Sequence, residues 1–350
     1  MPFVVRDAYL LAVILEHLSS STSELWATGT WRADAVRWID AALQDAGLTR
    51  VGDVERPRIR PWSTELVVET DAGRTWFKEN CPGQAFEAGL VAALSRLVPD
   101  HVVAPLAVDT ARGWMLTPDH GPTLQALGHT DPVTWERVMT DYADAQRRCS
   151  RHDAELAAAG LPAMRPQDVA AWAELRTADL AAMPAGDPRR IDADGVARIR
   201  AYASDLQRWC DLLAASPVPL SLEHNDLHDN NTFVPQASET RLRFFDFGDS
   251  VWAHPFSSLL VPFNVLGRQL QATPSDPRMG RVFDAYLEVW DDLADRSQLR
   301  ELARAAMHVG RVNRAASWWR CLPSLNASEL AEFGHLTGMW LTLVADDPPV

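Results

Sequence analysis

The sequence predicts an α+β protein with two lobes, a small β-rich lobe with one helix followed by a larger, mainly helical lobe. Short β-like runs cluster between residues 56 and 120. Long amphipathic helical patterns dominate residues 121–350. A polar strand-and-loop segment at 219–250 interrupts those helices and is the densest cluster of Asp, Asn and His in the chain. With 350 residues, of which 47% are hydrophobic, the chain is long enough to bury a core.

Residues 1–55 are predicted to form a helical extension ahead of the small lobe. Six side chains follow the helical spacing i, i+3, i+4, i+7 until Gly47 ends the pattern: Trp31, Ala35, Trp38, Ile39, Ala42 and Leu43. An apolar run at 9–15 is too short to span a bilayer and makes a poor signal peptide. We therefore expect a cytoplasmic protein that does not bind a membrane.

Residues 56–120 are the predicted small lobe. An Asp-Ala-Gly sequence at 71–73 is a turn signal between two β-like runs, which together predict a hairpin. The predicted elements are strands at 65–69, 75–78, 101–109 and 113–117 and one helix at 85–97.

Residues 121–350 are the predicted large lobe. Its amphipathic patterns predict helices at about 131–160, 167–183 and 193–215. After the polar segment, helices resume beyond Pro255 and continue to about residue 344. We find no internal repeat that would indicate a solenoid.

The charge and cysteine content exclude several classes of protein. A net charge of −14 argues against nucleic acid, because a duplex binder needs a basic face, and against an anionic membrane surface. The same charge suits a cationic ligand, or serves only solubility. The four cysteines form no CxxC pair, so neither a zinc site nor a disulfide framework is predicted. Oligomeric state is left open.

The basic residues are almost all of one kind. Of the 33 Lys and Arg residues only Lys78 is a lysine, so the other 32 are arginine. Lysine is a compact ammonium on a slim stem, whereas arginine is a broad planar fork, so a narrow phosphate site can require lysine. Lys78 is therefore a candidate phosphate ligand.

The polar segment contains two strings that suit phosphoryl transfer. Residues 223–231 read Glu-His-Asn-Asp-Leu-His-Asp-Asn-Asn, and residues 244–249 read Phe-Phe-Asp-Phe-Gly-Asp. This chemistry needs a carboxylate that orients the attacking hydroxyl and oxygen ligands for magnesium. We predict that Asp226 is the catalytic base and that Asn231 and Asp246 hold Mg²⁺. Gly248 was expected to allow a sharp backbone turn beside Asp246.

The spacing His-x-Asp-x-x-x-x-Asn followed by Asp-Phe-Gly resembles the kinase superfamily. Within it, the string at 224–228 with Asp-Phe-Gly-Asp at 246–249 resembles the aminoglycoside phosphotransferase family. The resemblance covers about residues 60–340. It implies a bilobal protein-kinase-like fold, ATP or GTP and Mg²⁺ as cofactors, and transfer of phosphate to an alcohol group.

The resemblance also implies how the nucleotide is held. Lys78 matches the small-lobe lysine that contacts the phosphates, and Glu87 on the predicted helix matches its carboxylate partner. Glu79 is the alternative partner, but as a neighbour on the strand it should point to the opposite face. No GxGxxG loop precedes Lys78. Two hydroxyl-bearing residues, Ser63 and Thr64, either bind phosphate or cap a plain turn. In the connection between the lobes, the residues expected to meet the base are Leu116, Thr117 and Asp119.

The acceptor is predicted to be a small, cationic molecule. Glu223, Asp229 and Asp249 stand beside the catalytic residues in this acidic chain and are the candidate acceptor ligands. The leading hypothesis is a kinase that acts on an aminoglycoside or another antibiotic and so confers resistance. One alternative is a metabolite kinase of the same fold for an amino alcohol, sugar or nucleoside. A nucleotide-binding pseudokinase that serves as an interaction module is the other alternative.

Overall fold

The computed structural model describes residues 21–236 and 238–350. The apolar run at 9–15 lies outside the described residues, so the predicted N-terminal extension is compared with the structure from residue 21 onward.

The small lobe is built on a five-stranded antiparallel sheet with the order β1-β2-β3-β5-β4. β2 and β3 form the predicted hairpin, in which Thr70 pairs with Gly73. Gly73 adopts a φ of 120°, a conformation that side-chain-bearing residues rarely adopt, so glycine suits this turn. The strands are β1 (Glu55–Ile59), β2 (Ser63–Thr70), β3 (Gly73–Asn80), β4 (Ala107–Asp109) and β5 (Trp114–Pro118).

Two N-terminal helices, α1 (Thr22–Trp26) and α2 (Gly29–Asp45), cover one face of this sheet. Thr28 caps α2 by accepting a hydrogen bond from the backbone N–H of Trp31. The opposite face of the sheet remains open toward the large lobe, and we call it the cleft face. The core between α2 and the covered face includes Trp31, Ala35, Ile39, Leu43, Leu66, Val68, Phe77 and Leu116.

Glu79 lies on the covered face, as its position next to Lys78 on a strand predicted. Its carboxylate accepts hydrogen bonds from the indole N–H groups of Trp31, at 2.8 Å, and Trp114, at 2.5 Å. Burial raises the pKa of Glu79, against the effect of these indole donors. Glu79 is therefore excluded as a partner of Lys78.

The segment after β3 confirms the predicted helix and corrects one predicted strand. The helix α3 spans Glu87–Leu97. Only Ala107–Asp109 of the strand predicted at 101–109 is present. The first half of that segment leaves the sheet because it binds the large lobe, where His101 lies 2.9 Å from the carboxylate of Asp144. A β-like composition does not show which lobe a segment joins.

The large lobe is helical as predicted, but two predicted helices are each divided in two. The segment predicted at 131–160 is interrupted at 150–152. The segment predicted at 193–215 breaks at Tyr202, which is buried and donates its hydroxyl to the carbonyl of Leu341. The helices are α4 (Pro132–Cys149), α5 (Asp153–Ala158), α6 (Pro166–Ala181), α7 (Ala193–Ala201), α8 (Ala203–Ala214), α9 (Leu260–Leu270), α10 (Pro277–Glu288), α11 (Arg296–Cys321), α12 (Ala327–Phe333) and α13 (Leu336–Thr342).

The polar segment consists of short strands and loops, as the sequence predicted, and its strands belong to two antiparallel pairs. β6 (Ser221–Glu223) pairs with β9 (Val251–Ala253), and β7 (Thr232–Phe233) pairs with β8 (Arg243–Phe244). These pairs hold both polar strings against the opening between the lobes. Among the helices of the described residues, none has the length and apolar character needed to cross a bilayer.

Candidate active site

A cavity of about 480 Å³ lies between the cleft face of the sheet and the polar segment. Strand alternation places the side chains of Lys78 and Met115 on the cavity side, because their strand neighbours Glu79 and Leu116 point to the covered face. The connection between the lobes and the two polar strings complete its walls. Lining residues include Lys78 and Met115 from the sheet, Thr117 and Asp119 from the connection, and Asn230 and Asp246 from the polar segment.

Lys78 is bonded to two carboxylates at once. Its Nζ lies 2.7 Å from Oε2 of Glu87 and 2.5 Å from Oδ1 of Asp246. The predicted ion pair with Glu87 is therefore present. Burial disfavours the charge on Lys78, but the two carboxylates outweigh burial and raise the pKa of its ammonium group. The ammonium group is thus held in its charged form at this end of the cavity.

Glu87 connects the sheet, the helix α3 and the second polar string. Besides accepting a hydrogen bond from Lys78, it accepts one from the side chain of Asn80. Its Oε1 accepts a hydrogen bond of 2.7 Å from the backbone N–H of Phe247. Glu87 is only 2% exposed, so its oxygens are taken by these donors instead of water.

The sharp backbone turn predicted at Gly248 occurs at Asp246 instead. Asp246 has φ 65° and ψ 56°, a left-handed conformation that aspartate tolerates better than most residues. Gly248 instead lies in a tight contact, since a Cβ there would lie 3.0 Å from Nδ2 of Asn80 and 3.3 Å from Oε1 of Gln84, and those side chains would have to shift by a few tenths of an ångström. Burial opposes the charge of Asp246, but Lys78 outweighs it and lowers the pKa of that carboxyl group.

Asp226 stands in the first polar string with a positive charge on one side. Nη1 of Arg314 lies 3.3 Å from its Oδ1, and Nε2 of His228 lies 3.6 Å from its Oδ2. Burial acts to raise the pKa of Asp226, but Arg314 and His228 outweigh it and lower that pKa well below the usual range. The carboxylate is thus ionised and able to accept a hydrogen bond from a hydroxyl group.

The tautomer of His228 follows from its other ring nitrogen. Nδ1 accepts a hydrogen bond of 3.1 Å from the backbone N–H of Asn230, so the proton of the neutral ring is on Nε2, toward Asp226. Burial opposes protonation of the ring, but Asp226 outweighs it and raises the pKa of His228. His228 therefore restrains one oxygen of Asp226.

The oxygen donors predicted to bind Mg²⁺ are chemically suited to it. The Nδ2 of Asn231 donates to the carbonyl of Asp226 at 3.0 Å, which leaves its amide oxygen as the available ligand atom. Asp246 supplies a carboxylate at the cleft. Within 21–236 and 238–350 no group of three or more His, Cys, Asp or Glu residues forms a cation site. A site with few protein ligands suits Mg²⁺, which keeps several waters and binds substrate phosphates.

Arg314 was not predicted, although it is central to the site. It is located on α11 and is 9% exposed. Its Nη1 donates to the carbonyl of Asn225 at 2.7 Å and lies 3.5 Å from Oδ2 of Asp249. The signal in the sequence was a polar stripe on a buried helix, since Asn313, Arg314 and Ser317 share one face at helical spacing.

The structure does not place the three predicted acceptor carboxylates free in the cleft. Glu223 is 1% exposed and accepts a hydrogen bond from Asn313, and burial raises its pKa to about 8. Asp229 is 2% exposed and accepts a hydrogen bond of 2.8 Å from Gln269. Asp249 remains partly exposed, but Gln84, Ser317 and Arg314 surround its carboxylate. Nearness in sequence did not predict these internal partners.

The predicted hydroxyl ligands also differ in position. Thr64 pairs with Glu79 in β2–β3, which places its side chain on the covered face, where its hydroxyl donates to the carbonyl of Arg58. Ser63 pairs with Asn80 on the cleft face but is only 5% exposed. Neither hydroxyl lines the cavity. Because β2 starts at residue 63, only residues 60–62 remain for the loop between β1 and β2.

Two of the three lobe-connection residues that were predicted to meet the base lie at the cavity. Thr117 and Asp119 line the cavity. The side chain of Leu116 points instead into the core on the covered face, and its carbonyl accepts the N–H of Leu106. The N–H of Asp119 is bonded to the carbonyl of Arg74, and its carboxylate accepts the indole N–H of Trp76.

The two-lobed architecture, with a lysine, a carboxylate on a helix and two polar strings at one cleft, defines the kinase-like class of fold. Solved structures with this fold include an ethanolamine kinase from Plasmodium vivax, with a TM-score of 0.58, 15% identity, and coverage of 84% of this chain and 83% of that one. A macrolide 2'-phosphotransferase from Brachybacterium faecium has a TM-score of 0.54, 16% identity, and coverage of 87% and 97%.

A third solved structure has a similar fold. The GDP complex of an aminoglycoside 2'-phosphotransferase-IIIa has a TM-score of 0.55, 15% identity, and coverage of 88% and 96%. No family model and no curated protein matches the sequence. The chain therefore has the fold of the aminoglycoside phosphotransferase-like kinases, and the resemblance inferred from its motifs is confirmed at the level of the fold.

Proposed function

We propose that the protein is a phosphotransferase that moves the γ-phosphoryl group of ATP or GTP to a hydroxyl group of a small molecule. The observation that carries the proposal is that Lys78, Glu87, Asp226 and Asp246 come together at one cleft from two lobes. The likeness in fold to proteins named as kinases and phosphotransferases supports it.

The nucleotide occupies the cavity in this proposal. Its base lies against Met115 and the connection at Thr117 and Asp119, and its phosphates lie toward Lys78. Asp246, which is bonded to Lys78 in the structure, and Asn231 would hold Mg²⁺. Bound Mg²⁺ would neutralise charge on the phosphate oxygens. The lysine supplies a second positive charge there and preserves it because of its raised pKa.

Asp226 orients the acceptor and takes its proton. The acceptor oxygen forms a bond to the γ-phosphorus while the bond from that phosphorus to the β–γ bridging oxygen breaks. The hydroxyl proton passes to the carboxylate of Asp226, and the nucleoside diphosphate leaves with the bridging oxygen. Arg314 and His228 hold the carboxylate ionised before this step.

The contacts of the acidic residues bear on the choice of acceptor. A polycationic antibiotic was expected because three carboxylates stood beside the catalytic residues in the sequence. Glu223 and Asp229 are buried and hydrogen-bonded, and Asp249 is neutralised by Arg314. Without free carboxylates there, an acceptor with few positive charges is favoured, such as a sugar, a nucleoside or a weakly charged antibiotic.

The rival proposal of a pseudokinase is less well supported by these residues. A protein that only binds nucleotide has no need of an ionised carboxylate such as Asp226 with its own buried arginine. Lys78, Asn231 and Asp246 are present as well. The complete set favours catalysis over binding alone.

The test is nucleoside diphosphate release in the presence of a panel of acceptors, namely sugars, nucleosides, amino alcohols, macrolides and aminoglycosides. We expect acceptor-dependent release from at least one class, with weakly charged acceptors ahead of polycations. Asp226→Asn is the matched control, since it keeps the shape of the side chain and should lower kcat by about 10²–10⁴ while the nucleotide still binds. Equal release by Asp226→Asn and wild type on a true acceptor would refute the role proposed for Asp226, and acceptor-dependent release from none of the classes would refute the proposed function.

A further inference from the structure

Four residues form a row across the cleft face of the sheet. Arg58 of β1 pairs with Glu65 of β2, Glu65 pairs with Lys78 of β3, and Lys78 pairs with Met115 of β5. Directly opposed residues of neighbouring antiparallel strands share one face, so all four side chains face the cavity. All four line it. Arg58 thus enters the same cavity as Lys78, two strands away.

The phosphate end of the cavity has few other donors. The sequence has no glycine-rich loop there, and Ser63 and Thr64 do not line the cavity. The short loop between β1 and β2 is held elsewhere, since the ring of Trp62 packs 5.3 Å from the ring of Trp318 and 5.3 Å from the ring of Phe333. Nucleotide phosphates at this end of the cavity therefore need a donor from another part of the small-lobe sheet.

Arg58 has hydrogen-bond donors to spare. Its Nε donates to Oε2 of Glu65 at 3.1 Å, and its Nη2 donates to Oε1 at 2.7 Å. A guanidinium has five N–H groups, so two are used by Glu65 and three remain. The fork is fixed in orientation by this two-point contact, and its side chain is still 44% exposed.

A further positive charge, besides Lys78 and bound Mg²⁺, would favour the charge balance of the cavity. Lys78 is already bonded to Glu87 and Asp246. A triphosphate adds several negative charges to a space that holds more carboxylates than basic groups. The charged residues that line it, within the described ranges, are Arg58, Lys78, Glu65, Glu87, Asp119 and Asp246.

We propose that Arg58 binds the phosphates of the nucleotide from the cleft face of the sheet and that Glu65 positions Arg58 for this contact. The inference rests on the proposed function, because it assumes a nucleoside triphosphate in this cavity. Arginine suits the contact since its planar fork binds phosphate oxygens and carboxylate oxygens at the same time. The competing interpretation is that Arg58 and Glu65 form an ordinary cross-strand ion pair that only stabilises the sheet.

Calorimetric titration with adenosine, ADP and ATP in the presence of Mg²⁺ separates these interpretations. We expect Arg58→Met to weaken ADP and ATP binding about 10- to 100-fold, as for loss of a charge-assisted hydrogen bond, and to change adenosine binding less than twofold. Arg58→Lys keeps the charge but lacks the fork, so it should lose less. Arg60→Met is the matched control, because Arg60 is exposed on the adjoining loop and does not line the cavity.

Each outcome decides between the interpretations. Unchanged ATP affinity in Arg58→Met and Arg58→Lys, with a lowered melting temperature, would overturn the inference in favour of the ion pair alone. An equal loss for adenosine and ATP would also overturn it, because the phosphates would then not be what Arg58 binds. If wild type binds none of the three ligands, the proposed function itself fails. If Arg58→Met does not fold, the comparison of Arg58→Lys with Arg60→Met gives the answer.

Discussion

At the scale of single residues, Lys78 has little freedom to be replaced. Its ammonium group lies between Glu87 and Asp246 at 2.7 and 2.5 Å, and its side chain is 14% exposed. A guanidinium is wider and cannot place one nitrogen between two carboxylates without moving them. The geometry thus gives a reason for a lone lysine in a chain whose other basic residues are all arginine.

We predict that Lys78→Arg is nearly as damaging as Lys78→Met, with a loss of about 10²–10³ in kcat/KM for each. Both variants keep a long apolar stem, so both should fold, and only arginine keeps the charge. Steady-state kinetics measure the loss, and melting temperatures confirm folding. Activity retained in Lys78→Arg would mean that charge alone is required and that the shape argument is wrong.

We predict that Asp246→Ala abolishes the dependence of nucleotide binding on Mg²⁺. The carboxylate of Asp246 is the anionic donor of the proposed site, while Asn231 offers only an amide oxygen. Calorimetric titration with ATP, with and without Mg²⁺, measures the dependence. Asp249→Asn is a suitable control, because the Asp249 carboxylate is bonded to Gln84 and Ser317. A similar Mg²⁺ effect in wild type and Asp246→Ala would remove Asp246 from the metal site.

At the scale of elements, the helix α11 contacts the loop that carries Asp226. It forms two hydrogen bonds with Asn225, which donates to the carbonyl of Asn313 at 2.9 Å and accepts from Arg314 at 2.7 Å. Asn225 itself has φ 64°, a strained conformation for most side chains. These bonds to α11 compensate for that strain and hold the Asp226 backbone in place.

We predict that Arg314→Met lowers kcat about 10- to 100-fold with little change in KM for the nucleotide, because it leaves Asp226 without its orienting cation. Folding should be destabilised by no more than about 3 kcal/mol, since Asp226 and Asp249 keep side-chain exposures of 28% and 24%. Kinetics and thermal unfolding measure the two effects.

Arg311→Met provides the matched control on the same helix. Arg311 is also nearly buried, at 6% exposure, but its hydrogen bond is to the carbonyl of Asp347 and not to the first polar string. It should change the melting temperature and leave kcat near the wild-type value. If Arg314→Met also retains wild-type kcat, α11 does not orient Asp226.

The predictions that succeeded concern contacts set by short stretches of chain. Strand alternation correctly separated Lys78 from Glu79, and the hairpin and α3 followed from local patterns. Arg314 was missed because it contacts Asn225, which lies 89 residues away in the sequence. The polar stripe on α11 indicates a polar face, but a single sequence does not show which loop that face contacts. Glu223 was misplaced for a related reason, since its partner Asn313 is equally remote.

At the scale of the whole molecule, the two-lobed α+β architecture was predictable, and the junctions between its parts were not. The change from period two to period 3.6 marks the boundary between lobes, because each period belongs to one kind of packing surface. The departures occur where segments far apart in sequence contact each other. His101 and Val102 leave the predicted strand to contact Asp144 and Phe244 of the large lobe, and Tyr202 breaks a helix within the large lobe to reach Leu341.

The aromatic contacts of Trp62 with Trp318 and Phe333 have a mechanical consequence for the cleft. They join the loop between β1 and β2 of the small lobe to two helices of the large lobe. The lobes are thus attached here as well as through the covalent connection, so opening the lobes at Trp62 would have to separate three packed rings.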